Sequence, residues 1–338
     1  MNFLEKAWEQ KAGWLVLLLP VSALFQLLAG IRRKQQEVKK ATSSHKVPVI
    51  VFGNISVGGT GKTPLLMTTA CELKELGFKP GIISRGYGGE ATSYPLQINK
   101  KTSVNEAGDE AFLTAEKTLC PVVVDPDRNA ALNFLLENND VDVVLSDDGL
   151  QHYKMYRDIE IAVIDGQRLF GNGYCMPAGP LRESPKRLKE VDHVVVNGQA
   201  AENLDVLKSA ITMQLEPRFL VNLCSGQKKP FIGAPFNMGN KVQAVSALGN
   251  PQRFYDLLAR LPYQLETFSF PDHHPFSLDD FEQRGIDEHQ PVVMTEKDAV
   301  KCRAFARPNY WYLAVDVQID KSFIELLADQ IKKLTSAH

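Results

Sequence analysis

The chain has 338 residues, 44% hydrophobic and 23% charged, with 38 Lys and Arg against 40 Asp and Glu for a net charge of −2. That balance excludes a disordered chain, a collagen-like fibre and a multi-span membrane protein. It also leaves no overall basic field for nucleic acid, so no nucleic-acid partner is expected, and no obligate protein partner is indicated. Cys71, Cys120, Cys175, Cys224 and Cys302 are far apart and form no CxxC pair, which argues for reduced thiols over a zinc ribbon or disulfide framework.

The N-terminus departs from this average. Trp14 to Ile31 reads WLVLLLPVSALFQLLAGI, an uncharged run interrupted by Pro20, with Lys6 and Lys11 before it and Arg32, Arg33 and Lys34 after it. About 18 apolar residues is the lower edge of a spanning helix. A cleaved signal peptide is disfavoured, because the following flank is basic and lacks a small-x-small site. A helix buried in a soluble fold stays open beside a membrane helix or interfacial anchor, whose cationic flanks suit anionic headgroups. The basic end places the large body that follows in the cytoplasm. Pro20 predicts a kink or local loosening.

After a polar stretch from Gln35 to Lys46, β-type runs alternate with helical spacing. Strands are expected at Val47–Phe52, Pro80–Ser84, Pro121–Val124, Val141–Leu145, Ile159–Ile164 and His193–Val196. Helices are expected at Lys62–Leu76, ended by Gly77, and between the third and fourth strands to about Asn138. From about Met213 the texture changes to short strands or a linker. A second α/β set follows at Val242–Ser246, a helix from about Pro251, Pro291–Thr295, Tyr310–Val317 and a final helix from about Lys321. The alternation predicts a mostly parallel sheet with helices on both faces, in two α/β domains with a cleft between them.

The sharpest motif is Gly53-Asn-Ile-Ser56-Val57-Gly58-Gly59-Thr60-Gly61-Lys62-Thr63, entered by a strand and left by a helix. Its glycines let backbone N–H groups turn inward onto phosphate oxygens, and the helix N-terminus adds partial positive charge. Lys62 would reach the β- and γ-phosphates, and the Thr63 hydroxyl would ligate Mg²⁺. Ser56 stands where the strict pattern has glycine. Val57 stands where the KGGxGKT loops of membrane-partitioning ATPases have lysine, which argues against that class.

Leu145-Ser-Asp147-Asp148-Gly149 closes an apolar strand, where a P-loop fold carries its acidic Mg²⁺ or water-positioning residue. The alternative is a solvated Asp-Gly turn. Asp109, in Gly108-Asp109-Glu110, is either a helix N-cap or a catalytic group. Phosphoryl transfer to an alcohol needs an Asp, Glu or His near the γ-phosphate to accept the hydroxyl proton. Phe270-Pro-Asp272-His273-His274-Pro275 offers a second such cluster, read equally as metal ligands or plain loop. Arg85 and Arg182 are candidates for binding anionic groups or for surface salt bridges.

Together these segments resemble the tetraacyldisaccharide 4'-kinase family of lipid A biosynthesis. The resemblance rests on GNISVGGTGKTP (Gly53 to Pro64), SRGYGG (Ser84 to Gly89), GDE (Gly108 to Glu110), DDGLQH (Asp147 to His152), PAGPLRE (Pro177 to Glu183), FPDHHPF (Phe270 to Phe276) and TEKDAVK (Thr295 to Lys301). It implies an α/β, P-loop NTPase-like, mostly parallel sheet flanked by helices, with a smaller C-terminal α/β domain and an N-terminal hydrophobic helix. The matching division is an anchor at 1–34, a P-loop kinase domain at 35–212, linker strands at 213–230 and the C-terminal domain at 231–338.

The implied reaction moves the γ-phosphate of ATP, with Mg²⁺, to the 4'-hydroxyl of an acylated glucosamine disaccharide 1-phosphate, a lipid substrate met at the cytoplasmic face of the inner membrane in a Gram-negative bacterium. Carried over by motif, residues Ser56 to Thr63 bind the nucleotide, and Thr63, Asp147 and Asp148 serve the metal. Asp109 becomes the catalytic base with His273, favoured over His274, as its partner; Lys62, Asp147 and Asp148 complete the catalytic set. Arg85, Tyr87, Glu110, Gln151, His152, Arg182 and Glu183 are expected around the nucleotide and the disaccharide phosphate. Closure of the C-terminal domain would bring His273 beside Asp109. The competing reading is a membrane-associated P-loop ATPase or GTPase switch without a small-molecule acceptor. The absence of a clear NKxD guanine motif favours ATP.

Overall fold

The computed structural model describes residues 3–40, 46–202, 204–236 and 241–337. Its strands are β1 (Val49–Gly53), β2 (Pro80–Ser84), β3 (Leu96–Gln97), β4 (Val122–Val124), β5 (Val143–Ser146), β6 (Ile159–Asp165), β7 (His193–Asn197), β8 (Ile211–Asn222), β9 (Lys228–Pro230), β10 (Lys241–Ser246), β11 (Gln264–Ser269), β12 (Val292–Thr295) and β13 (Tyr310–Ile319). The helices are α1 (Phe3–Glu9), α2 (Leu19–Lys40), α3 (Lys62–Glu75), α4 (Val104–Ala107), α5 (Asp109–Thr118), α6 (Arg128–Asn138), α7 (Gln252–Leu258), α8 (Leu278–Gln283), α9 (Glu296–Cys302) and α10 (Lys321–Ala337).

All strands share one 13-stranded sheet, in the order β11-β10-β12-β13-β8-β7-β6-β1-β5-β2-β4-β3, with β9 added beside β8. Among the described residues its antiparallel pairs are β3 with β4, β8 with β13 and β8 with β9; the other ladders are parallel. Central β1 is buried on both faces, from Val49 to Phe52. That explains why its sequence is a continuous apolar run rather than an alternating one.

The stretch expected as linker strands, 213–230, contributes β8 and β9 to the sheet. Strand β8 pairs along its length with β13, from Met213 opposite Ile319 to Asn222 opposite Trp311, and so joins the two halves. The ladder shifts register between Ala314 and Val315, opposite Phe219 and Pro217. Proline has no N–H to give the ladder, which suits it to such an irregularity. The last helix returns to the first half: Phe323, Ile324, Leu327, Ala328 and Ile331 of α10 pack with Leu65, Leu66 and Leu73 of α3 in one core cluster. A second half-core, with Phe254 and Leu258 of α7 against Val242, Val293 and Trp311, lies under the β10–β13 end.

The apolar N-terminal run is not one helix. Gly13–Leu18 forms a 3₁₀ turn, and α2 starts at Leu19. Pro20 therefore sits in the first turn of α2, where its missing N–H costs no intrahelical bond, and the expected kink becomes a junction. One face docks on the body. Leu15 and Ser22 are buried, Ser22 Oγ donates to Cys175 O at 2.9 Å, and Trp8 Nε1 donates to Pro177 O at 3.0 Å. Farther along, Arg33 pairs with Glu190 at 2.6 Å. The opposite face is bare: Leu17 is 79% exposed and Leu27 61%, with Val16, Val21, Leu24, Leu28 and Ile31 also exposed. The segment Gly13–Gln35 is long and apolar enough to cross a membrane, and little of it is buried.

Candidate active site

The P-loop leaves the carboxyl end of β1 and enters α3, at the sheet edge where α/β folds bind ligands. Gly58 and Gly61 adopt φ of 90° and 94°, values that favour glycine. The loop carbonyls are held from outside. Asn54 Nδ2 donates to Gly58 O at 3.3 Å, Arg168 Nη2 to Gly59 O at 2.6 Å and Asn197 Nδ2 to Thr60 O at 3.1 Å. Val57 N donates to Pro180 O at 2.9 Å, and Ser56 bridges to Leu181, so the PAGPLRE segment braces the loop. Among the described residues, no backbone N–H from Gly58 to Thr63 has a hydrogen-bond acceptor. These amides are the orphan donors of a helix start, the arrangement that binds phosphate.

Lys62 Nζ lies 3.6 Å from Asp148 Oδ1, and Thr63 Oγ1 donates to Asp147 Oδ2 at 3.1 Å. Burial pushes the Asp147 carboxyl up to about 6, with the charge of Glu110 adding to the rise and Lys62 opposing it. Burial would raise Asp148 too, but Lys62 and Arg182 hold it below the usual carboxylate range. Arg182 Nη1 reaches both Asp148 oxygens at 3.1 Å and Gln151 Oε1 at 3.3 Å. Gln151 Nε2 donates to Asn54 O at 2.9 Å and to Glu183 Oε1 at 2.8 Å, and Tyr153 donates to the other Glu183 oxygen.

The second cluster forms where α5 meets the FPDHHPF loop. His273 Nδ1 is 3.1 Å from Asp109 Oδ1 and 3.2 Å from Oδ2. The expected closure is thus not needed to join the pair; this conformation already holds it. Asp109 opens α5 behind Gly108, whose φ is 82°. A Cβ on Gly108 would lie 2.5 Å from Tyr87 O, so the SRGYGG loop packs directly on the helix start. The Tyr87 ring meets the His273 ring edge-on at 4.7 Å. Burial would raise Asp109, but the His273 hydrogen bond and the charges of Lys297 and Lys301 hold it below the usual range. His274 turns away: it stacks on Phe270 and pairs with Asp280 at 3.1 Å.

A family model described as tetraacyldisaccharide-1-P 4'-kinase matches residues 14–332. The chain belongs to the tetraacyldisaccharide 4'-kinase family. It is 44% identical over 315 residues to the tetraacyldisaccharide 4'-kinase of Haemophilus influenzae, covering 92% of this chain and 91% of that one. It is 45% identical over 330 residues to that of Nitrosococcus oceani, covering 96% and 94%. The crystal structure of LpxK from Aquifex aeolicus in complex with ATP superposes with a TM-score of 0.75 at 29% identity, over 95% of this chain and 99% of that one. The fold is therefore that of a P-loop kinase, and the enzyme is a sugar-hydroxyl kinase of lipid A biosynthesis.

In this kinase the remaining expected residues fall into place unevenly. Glu110 pairs with Lys297 at 2.9 Å. Arg85 is exposed beyond β2. Burial and the neighbouring Arg128 lower His152 to about 4, so its ring is neutral at physiological pH, and its buried Nε2 has no partner among the described residues. Sequence reasoning assigned no role to Lys297, Lys301, Arg128, Arg168 or Tyr153. The first two were visible only as an i, i+4 pair in TEKDAVK. Arg128 is buried and donates to Asp147 O at 3.0 Å, a contact no spacing announces.

The donor set fits Mg²⁺. Thr63 and Asp147 offer hard oxygens, and buried Asp147 Oδ1 has no hydrogen-bond partner among the described residues. Among the described residues, no group of three or more His, Cys, Asp or Glu side chains could hold a metal by itself.

Proposed function

We propose that Asp109 is the base that takes the 4'-hydroxyl proton of a tetraacylated disaccharide 1-phosphate while ATP donates its γ-phosphoryl group. The observation that carries this reading is the Asp109–His273 hydrogen bond at 3.1 Å, together with P-loop amides that have no acceptor among the described residues. The Gly58–Thr63 amides and Lys62 would cradle the phosphates. Thr63 and the Asp147–Asp148 pair would hold Mg²⁺, which would supply charge neutralisation on the phosphate oxygens. Asp109 accepts the proton, the 4'-oxygen forms its bond to the γ-phosphorus, and the bond from that phosphorus to the β,γ-bridging oxygen breaks to release ADP. Lys62 stabilises the charge on the moving phosphoryl group. Arg182, Gln151 and Glu183 are assigned to the disaccharide-phosphate side, with Arg85 and Tyr87 at the rim.

The enzyme would work at the cytoplasmic face of the inner membrane, with the bare face of Gly13–Gln35 in the lipid. That placement spares the acyl chains extraction into water, which costs about 0.8 kcal/mol per CH₂. The test is γ-labelled ATP with the detergent-solubilised disaccharide lipid. Label should appear in a chloroform-soluble glycolipid; release as inorganic phosphate alone would favour the nucleotide switch and overturn the reading.

A further inference from the structure

The dyad has a third member. Lys297, on α9, places Nζ 3.2 Å from His273 Nε2 and 2.9 Å from Glu110 Oε1. It also lies 4.0 Å from Asp109 Oδ2 and 3.8 Å from Asp272 Oδ1. Four residues on, Lys301 Nζ lies 3.6 Å from Asp109 Oδ2 and 3.0 Å from Asp298 Oδ1. Both lysines are largely buried, and Thr295 caps α9 by accepting from Asp298 N. The helix start that carries them is therefore fixed by its own hydrogen bonds.

The chemistry of these groups fixes the proton positions. A lysine ammonium donates and cannot accept, so a hydrogen bond from Nζ requires a bare lone pair on His273 Nε2. Burial would lower the Lys297 ammonium, but Glu110, Asp109 and Asp272 raise it above its ordinary range, so it stays charged. A neutral imidazole with Nε2 bare carries its proton on Nδ1, which faces Asp109. The other neighbours agree. Asp272 Oδ1 is 3.8 Å from Nε2, beyond hydrogen-bond reach, and the Tyr87 and His273 rings make a T-shaped contact at 4.7 Å.

We propose that Lys297 is a positioning residue that holds His273 in the Nδ1–H tautomer, making His273 a fixed hydrogen-bond donor to Asp109 rather than a proton acceptor. This rests on the assignment of Asp109 as base. It deepens that assignment by deciding where the proton goes: from the 4'-oxygen to Asp109 and no farther, because Nδ1 is already protonated and Nε2 is occupied. Glu110 shares in the device, since its carboxylate holds Lys297 in place.

The experiment is ¹⁵N NMR of the full, detergent-solubilised chain labelled at histidine, with the His273 signals assigned by their loss in His273→Gln. In the wild type at neutral pH, Nδ1 should show the shift of a protonated ring nitrogen and Nε2 that of a bare one. In Lys297→Met the preference for the Nδ1–H tautomer should vanish. Turnover should fall about 10- to 100-fold with KM for ATP unchanged, the usual scale for a lost orienting partner. Lys297→Arg should recover part of it. A proton on Nε2 in the wild type, two protons at neutral pH, or an unaltered ring in Lys297→Met overturns the proposal. Should Lys297→Met fail to fold, the wild-type spectrum alone decides. The spectrum is independent of label transfer, so failure of the kinase reading and failure of this one are separate results.

Discussion

His273 Nδ1 and Asp109 Oδ1 are 164 residues apart in the chain and 3.1 Å apart in space. One arrives on a loop after β11 and the other at the start of α5. With Asp109 as the proton acceptor, Asp109→Asn should lower kcat about 10²- to 10⁴-fold, the usual contribution of general base catalysis. ATP affinity, measured by calorimetry, should stay as in the wild type, because no P-loop contact is touched. Turnover near wild type would remove Asp109 from the role.

His273→Ala tests the direction of the electrostatics. Asp109 is held below the usual carboxylate range largely by the His273 hydrogen bond, so it is ionised well into acid. Without that bond its carboxyl rises, and the acid limb of kcat/KM should move to higher pH. Stability follows the same sign. A carboxylate depressed in the fold stabilises above its unfolded value and loses that as pH falls through the folded one. Wild type should therefore outlast His273→Ala in thermal melts at neutral pH, with the gap narrowing below about pH 4.

Asp147 predicts the opposite slope. Burial raises it to about 6. The folded state then binds its proton more tightly than the unfolded state, so wild-type stability without Mg²⁺ should fall as pH rises from about 4, the unfolded carboxylate value, towards 6. Asp147→Asn should lack this slope in melts recorded across that window. It should also lose most of the stabilisation that MgATP gives the wild type. A variant still protected by MgATP would separate Asp147 from the cation.

Gly108 allows the helix start to touch the Tyr87 carbonyl. Alanine there would combine a φ of 82° with a Cβ 2.5 Å from that oxygen. Gly108→Ala should cost about 1–3 kcal/mol in chemical denaturation, the range for a strained backbone position. Turnover should fall with it, since the strain acts on Asp109. An unchanged midpoint would show that the loop yields freely.

The N-terminal face offers a test that leaves the fold intact. Leu17, Leu24 and Leu28 are exposed, whereas Ser22, Leu15 and Trp8 tie the segment to the body. Changing the three leucines to serine should reduce sedimentation with anionic vesicles while the melting temperature stays put. Vesicle binding equal to wild type would count against lipid contact through this face.

The sequence by itself determined the parts whose chemistry is local. Glycine density around Lys62 and Thr63, an acidic strand end at Asp147 and Asp148, and apolar runs alternating with helical spacing each depend on neighbours within a few residues, so they are legible in one dimension. The basic-flanked apolar run was equally plain, although Pro20 gave a junction in place of a kink. Only the tertiary structure decided that β8 and β13 weld the two halves into one sheet, because strand partners are chosen by packing across long separations. It alone sent His274 to Phe270 and His273 to Asp109, and brought Lys297 to the far side of that ring. Such contacts depend on where whole elements pack, and a pair of adjacent histidines carries no mark of which one will face a carboxylate.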